Sequence, residues 1–258
     1  MPLLGLGVYD MHRQAAEQAV GDALEIGYRL IDTASMYQNE REIGHAIHQS
    51  GVKRSEIFLT TKLNNTDHGY EKALKAFDRS LKTLQQDYVD LYLIHWPIKS
   101  GRKDSWLALE KLYREKRVKA IGVANYNLSL LQELKQYATM VPAVDQVEFS
   151  PWLFQQDILN TCKTNHIQLQ AYSPLTRGLK FNDPRLVTLC NKYQKSPAQM
   201  VLRWHLEHGI SPIPKSIKKE RLIENFEANH FSMEAQDVLT MDGFNENFRI
   251  CENPDLYF

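Results

Sequence analysis

Tyr28-Arg29-Leu30-Ile31-Asp32-Thr33-Ala34-Ser35-Met36-Tyr37-Gln38-Asn39-Glu40 holds a strand, a turn and a helix start within one short run. Leu30 and Ile31 form the apolar part, Asp32 closes it, and Tyr37 falls in the polar connection that follows. Upstream, Ala16, Ala19, Val20, Ala23 and Leu24 recur at helical spacing within Gln14 to Ile26, and Gly27 stops that helix. Downstream, Ile43 and Ile47 share one face of a helix over 40–49.

The same couplet recurs along the chain. Strands are expected over 3–9, 28–34, 56–63, 89–96, 118–125, 143–149, 167–174 and 210–216. Further helices are expected over 69–84, 105–116, 128–138, 155–165, 184–194, 197–208 and 219–228. Strands alternating with helices imply parallel pairing. Eight such units imply an α/β fold, the (β/α)8 TIM barrel, which needs roughly 250 residues. The chain has 258 residues and no Pro/Gly/Ser-rich linker, so 1–258 is expected to be a single domain. From about residue 243 the sequence loses periodicity and reads as a surface segment able to fold over one rim.

Gly5-Leu6-Gly7 suggests a dinucleotide fingerprint, but no strand precedes it and no third glycine follows at the required spacing. The better reading is a close backbone approach at a strand end. Lys+Arg and Asp+Glu both number 31, a balance that gives no support to binding of nucleic acid or an anionic membrane. Cys162, Cys190 and Cys251 are widely spaced and read as reduced thiols. No basic leader is visible, and no apolar run reaches the roughly 18–20 residues of a membrane span, so a cytoplasmic location is expected.

Chemistry in such a barrel belongs at the carboxyl ends of the strands. Asp32 with Tyr37, Lys62, His95-Trp96, Asn125, Gln146 with Glu148, Tyr172-Ser173 and Lys215-Ser216 all fall there. Each has an ordinary reading as a cap, a rim charge or a hydrogen-bonded core residue. Together they bring polar groups from nearly every strand to one end.

Asp32-Thr-Ala-x-x-Tyr37-x-Asn39-Glu40, Lys62, Leu93-Ile-His95-Trp-Pro, Gln146-Val-Glu148, Ala171-Tyr-Ser-Pro-Leu175 and Ile213-Pro-Lys-Ser216 stand in order along almost the whole chain. In this the sequence resembles the aldo-keto reductases, in particular the short bacterial forms that include diketogluconate reductases. The resemblance implies an NADPH-dependent reductase of small aldehydes or ketones, with Asp32, Tyr37, Lys62 and His95 as a catalytic tetrad. Tyr37 is then the general acid. A free phenol has a pKa of about 10, and an ammonium at Lys62 is expected to lower it. Asp32 keeps Lys62 charged, and His95 orients the substrate carbonyl.

The protein supplies no hydride, so a nicotinamide is required. The resemblance implies that Tyr172 stacks on its ring, that Asn125 and Gln146 hold its carboxamide, and that Ser173, Pro174 and Leu175 lie along the pyrophosphate. It also brings Gly7, Val8, Tyr9 and Asp32 to the cofactor, and Tyr9, Tyr37, His95 and Trp96 to the substrate. Lys215, Ser216, Ile217, Lys218, Arg221, Glu224 and Asn225 resemble the adenosine-phosphate site. Backbone N–H groups at a helix start and cations at Lys215 and Arg221 favour NADP(H) over NAD(H).

The family pattern is broken at Ala124, where serine is usual beside the asparagine, and at Asn64, where many relatives have tryptophan. The short connection after His95 argues for an open pocket whose aromatic walls are Tyr9, Trp96 and Trp152. His45/His48 and His205/His208 have a spacing compatible with a metal, but no third ligand is evident, so surface histidines and no metal are expected. A different enzyme class, a barrel lyase forming a Schiff base on Lys62, stays open, as does a nucleotide-bound sensor without turnover. The expected partner is a small carbonyl compound, with no nucleic acid and no membrane, and the chain is expected to act as a monomer.

Overall fold

The computed structural model describes residues 1–257; Phe258, the last residue of the expected domain, lies outside them. Eight parallel strands follow one another in chain order: β1 (Leu6–Gly7), β2 (Leu30–Asp32), β3 (Phe58–Leu63), β4 (Val89–Ile94), β5 (Val118–Ala124), β6 (Val144–Glu148), β7 (Gln168–Tyr172) and β8 (Ser211–Pro212). The helices are α1 (Arg13–Ile26), α2 (Glu40–Gln49), α3 (Tyr70–Leu84), α4 (Arg102–Arg114), α5 (Leu128–Leu134), α6 (Gln156–Thr164), α7 (Pro184–Tyr193), α8 (Pro197–Glu207), α9 (Lys219–Phe226) and α10 (Ala235–Asp242). This is the (β/α)8 architecture expected from the alternating pattern. α10 was not anticipated from the sequence.

The helices bury the stripes that their spacing foretold. On α3, Ala73, Ala76, Phe77, Ser80 and Leu84 face inward, and the Phe77 ring meets Tyr92 of β4 at 4.9 Å. Burying a side chain the size of Phe77 contributes roughly 1.5–3 kcal/mol. α8 begins with a reciprocal cap. Gln199 N–H donates to Ser196 Oγ at 3.3 Å, and Ser196 N–H donates to Gln199 Oε1 at 3.0 Å.

The first and last strands are far shorter than expected, and their composition explains why. Pro212 and Pro214 have no N–H to give, so donation across the seam runs one way. Gly5 and Gly7 donate to the Pro212 and Pro214 carbonyls, each at 3.1 Å, and bring the first strand against the last. A Cβ on Gly7 would lie 2.8 Å from the Ile213 carbonyl oxygen, so only glycine allows that approach. The Gly-x-Gly pair therefore serves the barrel seam.

Register sorts the interior. Asp32 pairs with Gly7 and Thr60, Lys62 with Leu93, Ala124 with Gln146, Gln146 with Gln170, and Gln170 with Ser211. Partners in a parallel sheet share a face, so these residues line the inside of the barrel. Leu91, Leu93, Ala124 and Val144 form an apolar cluster there. Asp32, Lys62, Gln146, Gln170 and Ser211 make up a buried polar part beside it.

Three sequence expectations change. Trp152 is fully buried and donates its indole N–H to Asp183 Oδ2 at 2.7 Å, so it is a core residue and no pocket wall. His205 is also fully buried, with its ring nitrogens 2.8 Å from the Val201 carbonyl and 3.1 Å from the Phe149 carbonyl, and is no surface histidine. α5 ends at Leu134, after which tight turns carry the chain to Ala138. Among the described residues no helix is long and apolar enough to cross a membrane, and the three cysteines are free thiols.

Candidate active site

β2 ends in Asp32, and a single 3-10 turn, Ser35–Tyr37, then carries the phenol back over the strand ends. Ser35 Oγ donates to the Lys62 carbonyl at 2.9 Å, tying that turn to β3. Asn39 Nδ2 donates to the Val8 and Met11 carbonyls at 2.8 and 2.9 Å, while its Oδ1 accepts from Thr33 Oγ1 at 2.7 Å. Glu40 Oε1 accepts from Thr61 Oγ1 at 2.6 Å. Half of the opening motif is therefore scaffold: Asn39 and Glu40 fix the loop that aims Tyr37.

Lys62 is fully buried, and each of its three ammonium donors has an acceptor: Asp32 Oδ1 at 2.5 Å, the Thr33 carbonyl at 3.0 Å and Tyr37 Oη at 3.3 Å. Tyr37 Oη also lies 3.5 Å from His95 Nε2. An ammonium can only donate, so Tyr37 Oη accepts from Lys62 and its own hydrogen is directed elsewhere. Lys62 and His95 thus converge on the phenolic oxygen of Tyr37, with Asp32 held behind Lys62. A buried lysine with all its donors engaged is poorly placed to attack a carbonyl, which weighs against the Schiff-base reading.

The electrostatics depart from the simplest expectation. Burial, followed by the Asp32 carboxylate, pushes the Tyr37 phenol well above its ordinary pKa, so Tyr37 rests protonated. Asp32 lies against Lys62 and neutralises much of the ammonium's pull on the phenol. Burial lowers Lys62 and raises Asp32, and the attraction between them opposes both shifts. Burial and the Lys62 cation hold His95 well below the usual imidazole range, so it is neutral near pH 7. A neutral imidazole with its proton on Nε2 can donate toward the cleft.

The remaining strand ends line the same opening. Asn125 adopts a left-handed conformation (φ 63°), donates to the His95 carbonyl at 2.8 Å and accepts from Tyr172 Oη at 2.8 Å. Both hydrogens of Gln146 Nε2 are engaged, by Asp32 Oδ2 at 2.8 Å and Gln170 Oε1 at 2.7 Å, which leaves the Gln146 carbonyl oxygen as its available group. Tyr9 is 57% exposed, and its ring meets that of Tyr37 edge-on at 5.1 Å. Trp96 is half-buried beside His95.

The chain after Gly243 crosses this rim. Ile250 and Cys251 backbone N–H groups donate to the Glu148 carboxylate at 2.7 and 3.2 Å, and Cys251 Sγ lies 3.6 Å from Ser173 Oγ. The sequence placed Glu148 at a strand end and the tail near a rim, but nothing in it joined the two.

Lys215, Lys218 and Arg221 gather at the start of α9, exposed, and none has a side-chain hydrogen bond or ion pair among the described residues. Asn225, one turn further along α9, is 3% exposed, and its amide likewise has no partner among them. Ser216 Oγ accepts from the Lys218 N–H at 3.1 Å and orders the turn into the helix. Unpaired cations beside uncapped helical N–H groups form a donor set suited to a phosphate ester. Pro174, Leu175, Ile217 and Glu224 lie on the segments between these groups. Among the described residues no cluster of three or more His, Cys, Asp or Glu could hold a metal ion.

Residues 4–246 match the model of the Aldo/keto reductase family. The chain is 46% identical over 256 residues to glyoxal reductase of Bacillus subtilis (strain 168), covering 99% of this chain and 93% of that one. Among solved structures, an aldo-keto reductase enzyme from a Medee basin deep-sea metagenome library superposes with a TM-score of 0.96 at 43% identity, covering 99% of this chain and 95% of the other. A variant of Gox0644 in complex with NADPH superposes with a TM-score of 0.94 at 34% identity, covering 99% and 94%.

Proposed function

The chain belongs to the aldo/keto reductase family, and we propose that it reduces small aldehydes or ketones to alcohols with NADPH, using Tyr37 as the proton donor. One observation carries this reading: Tyr37 Oη lies 3.3 Å from Lys62 Nζ and 3.5 Å from His95 Nε2, at the mouth of the barrel. The residues present fit NADPH. Lys215, Lys218 and Arg221 offer unpaired charge for a 2′-phosphate. The Gln146 carbonyl oxygen, held outward by the engagement of both Nε2 hydrogens, offers an acceptor for a carboxamide.

When bound, NADPH supplies the hydride. His95 Nε2–H donates to the substrate oxygen and holds it toward Tyr37. Tyr37 Oη gives its proton to that oxygen as alkoxide character develops. The phenolate left behind is stabilised by Lys62 Nζ, and Asp32 keeps Lys62 in its charged form. The high resting pKa of Tyr37 suits this order of events: the phenol keeps its proton until the alkoxide, a stronger base, forms beside it. In this reading the chain works as one barrel domain and as a monomer. Its similarity to a glyoxal reductase favours small dicarbonyls among the substrates.

A panel of simple aldehydes, methylglyoxal and diketo sugar acids, followed by loss of NADPH absorbance, tests the substrate class. Tyr37→Phe is expected to lower turnover by roughly 10²–10⁴-fold while leaving NADPH affinity intact. Near-normal turnover in that variant removes Tyr37 from the mechanism.

A further inference from the structure

Behind Asp32 a row of buried side chains crosses the inside of the barrel. Gln146 on β6 gives one Nε2 hydrogen to Asp32 Oδ2 at 2.8 Å and the other to Gln170 Oε1 of β7 at 2.7 Å. Gln170 Nε2 then donates to Ser211 Oγ of β8 at 3.2 Å. Gln146 is 2% exposed, and Gln170 and Ser211 are fully buried. Pairing of Gln146 with Gln170 and of Gln170 with Ser211 puts all three on one face of the sheet.

A carboxamide has a donor end and an acceptor end, and turning it over exchanges them. Ionised Asp32 can only accept, so only the NH₂ end of Gln146 can face it. The second Gln146 hydrogen then needs an acceptor, which is Gln170 Oε1. That in turn points Gln170 Nε2 at Ser211. The carboxylate thus dictates the direction of every bond in the row, and the row holds the carboxylate in place. If Gln170 offered no acceptor, a buried N–H of Gln146 would be left unpaired. Gln146 would be free to turn away from Asp32.

We propose that Gln170 is a positioning residue of this reductase: it locks the Gln146 amide with its NH₂ group on Asp32 and its carbonyl oxygen toward the cleft, and so sets the charge state of the Asp32–Lys62 pair beneath Tyr37. It touches none of the four reacting side chains and acts only through Gln146. Lys62 and Tyr37 are the titratable groups that face Asp32, and neither contacts Gln170. The proposal rests on the reading of Tyr37 as proton donor, and its test separates the two.

Gln170→Leu keeps the volume and removes the acceptor. Its kcat is expected to fall about tenfold, the kinetic equivalent of one hydrogen bond. The acid limb of its pH–kcat profile should move toward neutral pH, because an unbraced Asp32 takes up its proton more readily. Gln170→Glu supplies the control. When protonated, its C=O accepts from Gln146 and its O–H donates to Ser211, so kcat at low pH should return to near that of the unaltered enzyme. On raising the pH the new carboxylate ionises beside the row, and kcat should fall along a limb that Gln170→Leu lacks. A merely structural role would lower thermal stability in both variants without splitting their pH profiles.

An unchanged kcat and pH profile in Gln170→Leu overturns the proposal, as does a loss that Gln170→Glu restores at no pH. If Tyr37→Phe is inactive while both Gln170 variants behave as the unaltered enzyme, only this inference fails. If Tyr37→Phe keeps its turnover, the underlying reading fails first.

Discussion

Removing the Lys62 ammonium separates its structural role from its chemical one. Lys62→Met keeps a long unbranched side chain but leaves Asp32, 2% exposed, without its counter-ion. Breaking a buried pair by deleting one partner costs about 3–5 kcal/mol, and Asp32 should respond by holding a proton at neutral pH. The chemical loss is set by the 3.3 Å separation of Lys62 Nζ and Tyr37 Oη. At an effective dielectric constant of about 20, an ammonium attracts a phenolate at that distance by about 5 kcal/mol. Asp32 opposes part of this attraction, so a net loss near 3 kcal/mol, or roughly 10²-fold in the reductive step, is expected. Urea unfolding reads the stability, and single-turnover loss of NADPH absorbance reads the step. The decisive variant is the double one, Asp32→Leu with Lys62→Met. With both charges gone and the volume kept, much of the lost stability should return, short of about 1–3 kcal/mol for the Gln146 N–H that Asp32 no longer accepts, while the reductive step stays slow. Recovery of turnover along with stability would falsify the assignment of Lys62 to the stabilisation of a Tyr37 phenolate.

Two glycines give opposite signs for the same substitution. Gly7→Ala pushes a Cβ to 2.8 Å from the Ile213 carbonyl oxygen and pries the seam apart, so a loss of about 1–3 kcal/mol and a lower Tm are expected. Gly21→Ala, inside α1 with nothing within 4 Å of the new Cβ, should raise stability by about 0.5–1 kcal/mol. Equal effects in thermal melts would contradict the close approach at the seam. His68 supplies a pH dependence: burial holds its imidazole down to about 4, against about 6.5 in the unfolded chain. The unfolded chain therefore binds the extra proton, and stability should fall as pH drops from about 6.5 toward 4, by about 2 kcal/mol at pH 5 for this one group. In His68→Gln the difference between unfolding free energies at pH 7 and pH 5 should shrink by a comparable amount. No shrinkage would mean that His68 is charged in the folded protein.

The parts of the molecule that the sequence disclosed are those that local pattern determines. Stripes such as Ala73, Ala76, Phe77 and Leu84 identify α3 without knowledge of its neighbours. Asp32, Lys62 and His95 could be picked out because each lies at a strand end, and Tyr37 because it follows Asp32 in the connection there; parallel strands deliver their ends to one side. What stayed hidden depends on partners far away in the chain. His205 repeats at a spacing that suits a helix surface, yet the Phe149 carbonyl, 56 residues away, receives it in the core. Glu148 grips backbone about 100 residues downstream. The rise in the Tyr37 pKa escaped for the same reason: Lys62 was foreseen beside the phenol, but the shift comes first from the burial that the folded barrel imposes and then from the Asp32 carboxylate.

Gln170 marks the limit most clearly. In the sequence it is one of two glutamines spaced two apart in Gln168-Leu-Gln170, and alternation alone cannot say which face of β7 points into the barrel. Gln168 reaches out to the Gly209 carbonyl, whereas Gln170 faces Gln146 and Ser211. A slip of one residue between β6 and β7 would set Leu169 or Ala171 against Gln146 and leave it with an unpaired hydrogen beside a carboxylate. The register of β7 is therefore held from two sides, by apolar Leu169 and Ala171 packing outward into the main core and by this inward polar row. On that argument the row that braces Asp32 also selects the register on which the whole site depends.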